Sequence, residues 1–149
     1  MVKRISAKGR AEDGFTVIEL LVVVLIIGIL AAVALPSFLN QKNKAIDASA
    51  KELAHSAQIA AESYATDHSG SYVGLNAAGL AQYDATIQTS SSNGPYVKSV
   101  TNATATGYTV TTATATGSEQ FSITRSNGAT TRSCTPSTGV QGGCTNGSW

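Results

Sequence analysis

The sequence predicts an α+β fold: one long N-terminal α-helix, its apolar half projecting and its amphipathic half packed on a small antiparallel β-meander. Three observations predict it. Residues 15–35 are apolar almost throughout. Residues 37–67 keep a helical period but become amphipathic. From Tyr72 onward helix formers thin out, and Thr, Ser, Gly and Val take over.

The apolar segment reads FTVIELLVVVLIIGILAAVAL, and Glu19 is its only strongly polar member. Its 21 residues suffice, at about 1.5 Å per residue, to cross a hydrocarbon layer about 30 Å thick. Residues 1–14 precede it as a short polar leader with Lys3, Arg4, Lys8 and Arg10. A basic head before an apolar run is a membrane-targeting pattern, with the basic side kept in the cytoplasm.

Beyond the apolar run, Ile46, Ala50, Leu53, Ala57, Ala60, Ala61 and Tyr64 recur at steps of three and four. Lys51, Glu52, His55 and Glu62 fall mostly off that stripe. Pro36 removes a backbone donor and crowds the preceding turn. The expectation is one helix of some 50 residues, roughly 80 Å long, kinked near Pro36 and ended by Gly70. Gly28 is a second weak point within it.

In the C-terminal half, residues 96–100, 108–114 and 121–125 alternate as strands do. Asn127-Gly128 is a strong hairpin signal and pairs 121–125 with 129–134. Gly107 and Gly117-Ser118 mark weaker turns. The expected divisions are 1–14, a leader that is removed; 15–36, a transmembrane and assembly helix; 37–69, its amphipathic continuation; and 70–149, a globular β-domain. Cys134 and Cys144 are the only cysteines. On a chain that leaves the cytoplasm such a pair reads as one disulfide closing a C-terminal loop, with two unpaired thiols as the alternative.

A carboxylate inside a membrane helix costs roughly 2.5–3.5 kcal/mol at the bilayer centre and less near the surface, so Glu19 needs a partner. The helix N-terminus favours negative charge there.

Gly14-Phe15-Thr16-Val17-Ile18-Glu19 followed by the apolar run and Pro36 resembles the type IV pilin and pseudopilin family. The likeness runs through GFTVIELLVVVLIIGILAAVALPSF, about the N-terminal third. It implies cleavage between Gly14 and Phe15 by a prepilin peptidase, which also N-methylates Phe15. It implies that Glu19 sets axial register by pairing with a neighbouring subunit's amine. It implies a helical homopolymer, built by an assembly ATPase and membrane platform proteins from subunits stored in the bacterial cytoplasmic membrane. The product is an extracellular type IV pilus serving adhesion, motility or DNA uptake. In the family the stretch between Gly28 and Pro36 can lose helix in the fibre.

Two rival readings remain on the sequence alone. Ala32-Val33-Ala34 fits a secretory cleavage pattern, although the apolar run is long for that and Glu19 would hinder it. A plain single-span surface protein explains the apolar run but not Gly-Phe-x-x-x-Glu. Within the family the alternative is a pseudopilin of a type II secretion system. The cysteines favour the pilus, and Asp84 with Glu119 offers too few oxygens for the calcium site common in pseudopilins.

Several classes are excluded. Net charge is +1, and Lys98, Arg125 and Arg132 are the only basic residues of the C-terminal zone, so no specific nucleic-acid partner is expected. His55 and His68 are too far apart for a paired metal motif, and no nucleophile–base or phosphate-loop pattern occurs. No enzyme, metal or cofactor is expected. The Thr/Ala stretch 101–116 reads as solvated strand and loop, with O-glycosylation the richer alternative.

Overall fold

The computed structural model describes residues 14–136, 140–141 and 143–149. The leader, apart from Gly14, lies outside the described residues. Helix α1 runs Val17–Asp67, and α-helix is retained across Pro36. A short helix α2 (Ala77–Tyr83) follows, then a single 3-10 turn (Ser91–Asn93). Four strands come next: β1 (Tyr96–Thr101), β2 (Gly107–Ala113), β3 (Gln120–Ser126) and β4 (Ala129–Thr135). They form one antiparallel sheet in the order β1-β2-β3-β4. The two-residue strands β5 (Val140–Gln141) and β6 (Cys144–Thr145) pair separately. The chain divides into two compact units, one ending at Phe38 and one spanning Leu39–Trp149.

The meander follows from its turns. Asn127 and Gly128 have φ of 48° and 84°, the left-handed pair that a tight two-residue hairpin needs. Gly107 opens β2 rather than making a turn. An added Cβ there would run into the backbone carbonyl of Arg125, so glycine is required by the close approach of β3. The C-terminus of α1 is closed as anticipated. Ser69 and Gly70 take φ of 55° and 84°, and Gly70 N–H reaches back to the Ala65 carbonyl at 2.7 Å, a Schellman-type stop. His68 stacks on Tyr64 there, with ring centroids 3.9 Å apart.

Within the globular unit the buried face of α1 is mostly alanine: Ala50, Ala54, Ala57, Ala60, Ala61 and Ala65, with Leu53. Small side chains bring the sheet close, and the larger residues come from the other side: Tyr108, Val110, Phe121 and Ile123 of β2 and β3. Leu80 of α2 fills one end. The sequence signal for α2 was weak. Seven residues are too few for a clear period, although Asn76 caps it by accepting from Gly79 N–H at 2.9 Å.

One assignment along α1 is corrected. Ile46 is not on the buried stripe; it is exposed, and Asp47 beside it is buried. Glu62, off the stripe, is half-buried and engaged by the sheet side. Its carboxylate accepts from Tyr72 Oη at 2.8 Å and Tyr108 Oη at 3.2 Å, and pairs with Arg125 at 3.3 Å. Burial, reinforced by the Glu62 charge, pushes both phenols above the ordinary tyrosine range. In both cases helical period gave the angle but not which neighbours would close over it.

Asp47 is covered by the chain's last turns. Its carboxylate accepts from Gly143 N–H at 2.6 Å, and Lys51, one turn on, donates to the Gly143 carbonyl at 2.5 Å. Cys144 follows directly, in a disulfide to Cys134 with Cα atoms 5.7 Å apart. Trp149 completes the closure: its indole N–H donates to the Ser133 carbonyl at 2.9 Å, and its ring meets Phe121 and His55 edge-on, both at 5.8 Å. Lys51 Nζ and the Arg132 guanidinium lie 5.6 and 5.3 Å from that ring, within cation–π range.

Two predictions follow from these contacts. Gly107→Ala should destabilise the protein by about 1–3 kcal/mol, because backbone rather than a mobile side chain must move; a denaturant midpoint equal to wild type would contradict it. For Asp47, burial raises the carboxyl pKa more than the Gly143 N–H lowers it. A raised folded pKa means stability is fully present below the unfolded value and declines as pH rises through the folded one. Asp47→Asn keeps an acceptor for Gly143 but removes the ionisation. It should abolish that decline, so urea midpoints at pH 7 should equal or exceed those of wild type.

Candidate assembly and processing segment

The first helical turn is built by Thr16 and Glu19. Thr16 N–H and Oγ1–H donate to Glu19 Oε2 at 2.9 and 2.7 Å, and Glu19 N–H donates back to Thr16 Oγ1 at 3.2 Å. This is a capping box. It satisfies donors that the helix end would otherwise leave open. The sequence carried the signal as T-x-x-E before an apolar run, and the reading of Glu19 as a residue lacking a partner overlooked it. In the uncut chain that partner is Thr16, since Phe15 nitrogen is in a peptide bond and bears no charge.

Gly14 and Phe15 stand immediately before this turn. Phe15 is 93% exposed. Among the described residues an added Cβ at Gly14 would meet nothing within 4 Å. From Val17 to Leu39 the large apolar side chains are exposed without interruption. The helix is long and apolar enough to cross a membrane by length and composition. An uncovered apolar surface of this extent marks a membrane or protein contact. Gly28 has open space around its α-carbon, and Ala31 and Ala32 add small side chains nearby, the composition that permits close helix–helix approach.

The other sequence candidates are engaged locally. The Asp84 carboxylate accepts from Thr86 N–H at 2.9 Å and Thr86 Oγ1–H at 2.7 Å, which holds it below the usual carboxylate range. Glu119 accepts from Ser118 Oγ–H at 2.5 Å. Among the described residues no three His, Cys, Asp or Glu side chains converge on a metal-sized site. Arg125 is tied to Glu62 and Arg132 lies against Trp149, so these bases form no common patch with Lys98.

Comparison with known proteins locates the same segment. Residues 9–35 match the family model of the prokaryotic N-terminal methylation motif. The chain is 40% identical over 90 residues to the type IV major pilin protein PilE1 of Neisseria gonorrhoeae, covering 60% of this chain and 39% of that protein. It is 41% identical over 90 residues to a fimbrial protein of Neisseria meningitidis serogroup B, covering 60% and 49%. It is 38% identical over 91 residues to the fimbrial protein EcpC of Eikenella corrodens, covering 61% and 54%. The matched stretch thus spans about half or less of the relatives' length. No solved structure gives a significant match. A methylation motif over residues 9–35, a long apolar helix opened by Thr16 and Glu19, and the likeness to type IV major pilins and fimbrial proteins make this chain similar to the type IV pilin family.

Proposed function

We propose that this chain is the major-pilin-like structural subunit of a type IV pilus, cut between Gly14 and Phe15, N-methylated on Phe15 and polymerised through α1. The observation that carries the proposal is the exposed apolar segment of α1, which starts at a processing motif and holds its one carboxylate, Glu19, in its first turn. Before assembly the helix is stored as a single span in the bacterial cytoplasmic membrane, basic leader inward. Assembly trades lipid for neighbouring helices, so the apolar side chains stay dry. A head-to-tail contact that does not close gives a helical filament, displayed outside the cell for adhesion, motility or DNA uptake. A prepilin peptidase, an assembly ATPase and membrane platform proteins are the partners this pathway needs.

Glu19 has two successive tasks in this scheme. In the precursor it caps its own helix. After the cut, an amine with an unperturbed pKa of about 7.7–8.0 appears at Phe15, and the carboxylate can pair with such an amine on a neighbour and set axial register. Gly28 and Pro36 bracket a stretch of weakened helix that lets the fibre extend. The disulfide, and relatives named as major pilins, support the pilus reading over a secretion pseudopilus.

Two variant sets test this. Gly14→Ser should leave uncut precursor, detected by mass and N-terminal sequencing; a mature chain beginning at Phe15 from that variant would remove the assigned cleavage site. Glu19→Gln keeps a side chain able to complete the capping box but not the charge. Glu19→Ala loses both. Both variants should be cut and inserted normally yet incorporated poorly into filaments. Wild-type filament yield from Glu19→Gln would show that capping, and not charge pairing, is the need.

A further inference from the structure

A polar cavity of about 300 Å³ lies between α1 and the turn that joins β2 to β3. Asn43, Ile46 and Asp47 line it from the helix, and Thr116, Ser118 and Glu119 from the turn. Two of these side chains are carboxylates. Asp47 is only 2% exposed. Gly143 N–H donates to its Oδ2, and no described residue donates to its other oxygen. Glu119, on the opposite wall, is held by the Ser118 and Thr114 hydroxyls at 2.5 and 3.4 Å. Among the described residues neither carboxylate belongs to an ion pair; Arg125 with Glu62 forms the only one. Lys51, one turn on, gives its ammonium to the Gly143 carbonyl. Burial pushes the Asp47 carboxyl up, and Glu119 adds to that by more than Lys51 takes away. Such a pair of acids is completed by a cation placed between them.

Two lysines of α1 are free to supply one. Lys42 and Lys44 are exposed, and neither makes an ion pair among the described residues. At 3.6 residues per turn they stand about 200° apart around the helix, so an ammonium is presented on either side of it.

The Glu19 register proposed above sets where a neighbour's lysines fall. Pairing Glu19 with the Phe15 amine of a parallel copy offsets the two helices by four positions, or about 6 Å. Helix α1 is continuous from Val17 to Asp67, so the same offset brings the neighbour's Asn43 level with Asp47. The neighbour's Lys42 and Lys44 flank that level, each about 1.5 Å from it along the axis.

We propose that this acidic cavity receives a lysine of a second copy, Lys42 or Lys44 of the neighbouring α1, as a second charge contact of the filament. The inference rests on the Glu19 register. An ammonium is a compact charge with three donors on a flexible stem, which suits two carboxylates flanked by the Thr116 and Ser118 hydroxyls. A calcium ion would take six or more oxygens, and the described residues bring no third acidic, histidine or cysteine side chain to the cavity.

The test uses filaments sheared from cells that make the full chain. A water-soluble carbodiimide activates a carboxylate as its acylisourea; a lysine amine within reach attacks, the urea leaves and an amide forms. Wild-type filaments should give cross-linked dimers on a denaturing gel, and peptide mapping should join Lys42 or Lys44 to Glu119 or Asp47. A link within one chain would keep the mass of a monomer. Glu119→Gln should remove the Glu119 link and lower filament yield by about fivefold, the upper end for one solvent-edged ion pair. Lys42→Gln with Lys44→Gln should lose every such link and fall as far. Lys98→Gln, which does not line the cavity, should keep both the links and the yield. Filaments without a link from either lysine to either carboxylate, or wild-type yield from Glu119→Gln and from the lysine double variant, would overturn the inference and leave the Glu19 register standing. Filaments that come apart in a chelator and give no lysine link would replace it with a bound metal ion. If wild type forms no filament, the filament reading fails and this inference with it.

Discussion

The globular unit depends on how closely a sheet can approach a helix lined with alanine. Ala50, Ala54, Ala57, Ala60 and Ala61 are at most 2% exposed, yet none has a side chain large enough to fill a core. The volume comes from the sheet, through Tyr108, Phe121, Ile123 and Val110. Close approach lets Thr112, buried on β2, donate to the Ala50 carbonyl at 2.9 Å. That bond reaches from sheet to helix backbone, a contact that longer residues on the stripe would prevent. Interiors are packed at crystal-like density, so helix and sheet sequences constrain each other: small on one side, large on the other.

Closeness has a cost at the edges of the contact. Polar groups that the approach covers must find partners. Glu62 finds two phenols and a guanidinium, and Asp47 finds the Gly143 amide. The last residues of the described chain are thereby part of the fold. The disulfide holds the strap against β4, Gly143 fits between Asp47 and Lys51, and Trp149 covers the cluster of Ala50, Phe121, Cys134 and Cys144. An added Cβ at Gly143 would lie 2.6 Å from Lys51 Nζ and 3.2 Å from Asp47 Cβ, so the Lys51 side chain would have to shift to admit one. In the chain-entropy model a cross-link over so short a loop is worth about 3 kcal/mol, a large share for a core with few large apolar residues.

The N-terminal stretch obeys a different constraint. Its large apolar side chains are uncovered by the described residues, and a surface of that extent marks a membrane or protein contact. The capping box of Thr16 and Glu19 supplies what the helix can supply for itself, satisfied donors at its first turn. The one carboxylate of that apolar segment is held at its first turn by Thr16.

Much of this was legible in the sequence because it is local or periodic. Apolar length announced α1, Asn127-Gly128 announced the β3–β4 hairpin, Ser69-Gly70 announced the helix stop, and the cysteine pair announced the loop. Gly14-Phe15 and Glu19 stood out by position and chemistry, and T-x-x-E was present though unread. What the sequence could not rank was burial at the margins. Ile46 and Asp47 are adjacent, and period alone favours the apolar one. The strap over Asp47 reverses that order, through contacts nearly a hundred residues apart in the chain. The positions of Glu62 and Trp149 depend likewise on pairing register between distant strands. Local hydrogen bonding and hydrophobic period act within a few residues and are written in the sequence; which surfaces meet, and which polar groups are closed over, is decided only when the folded chain brings remote segments together.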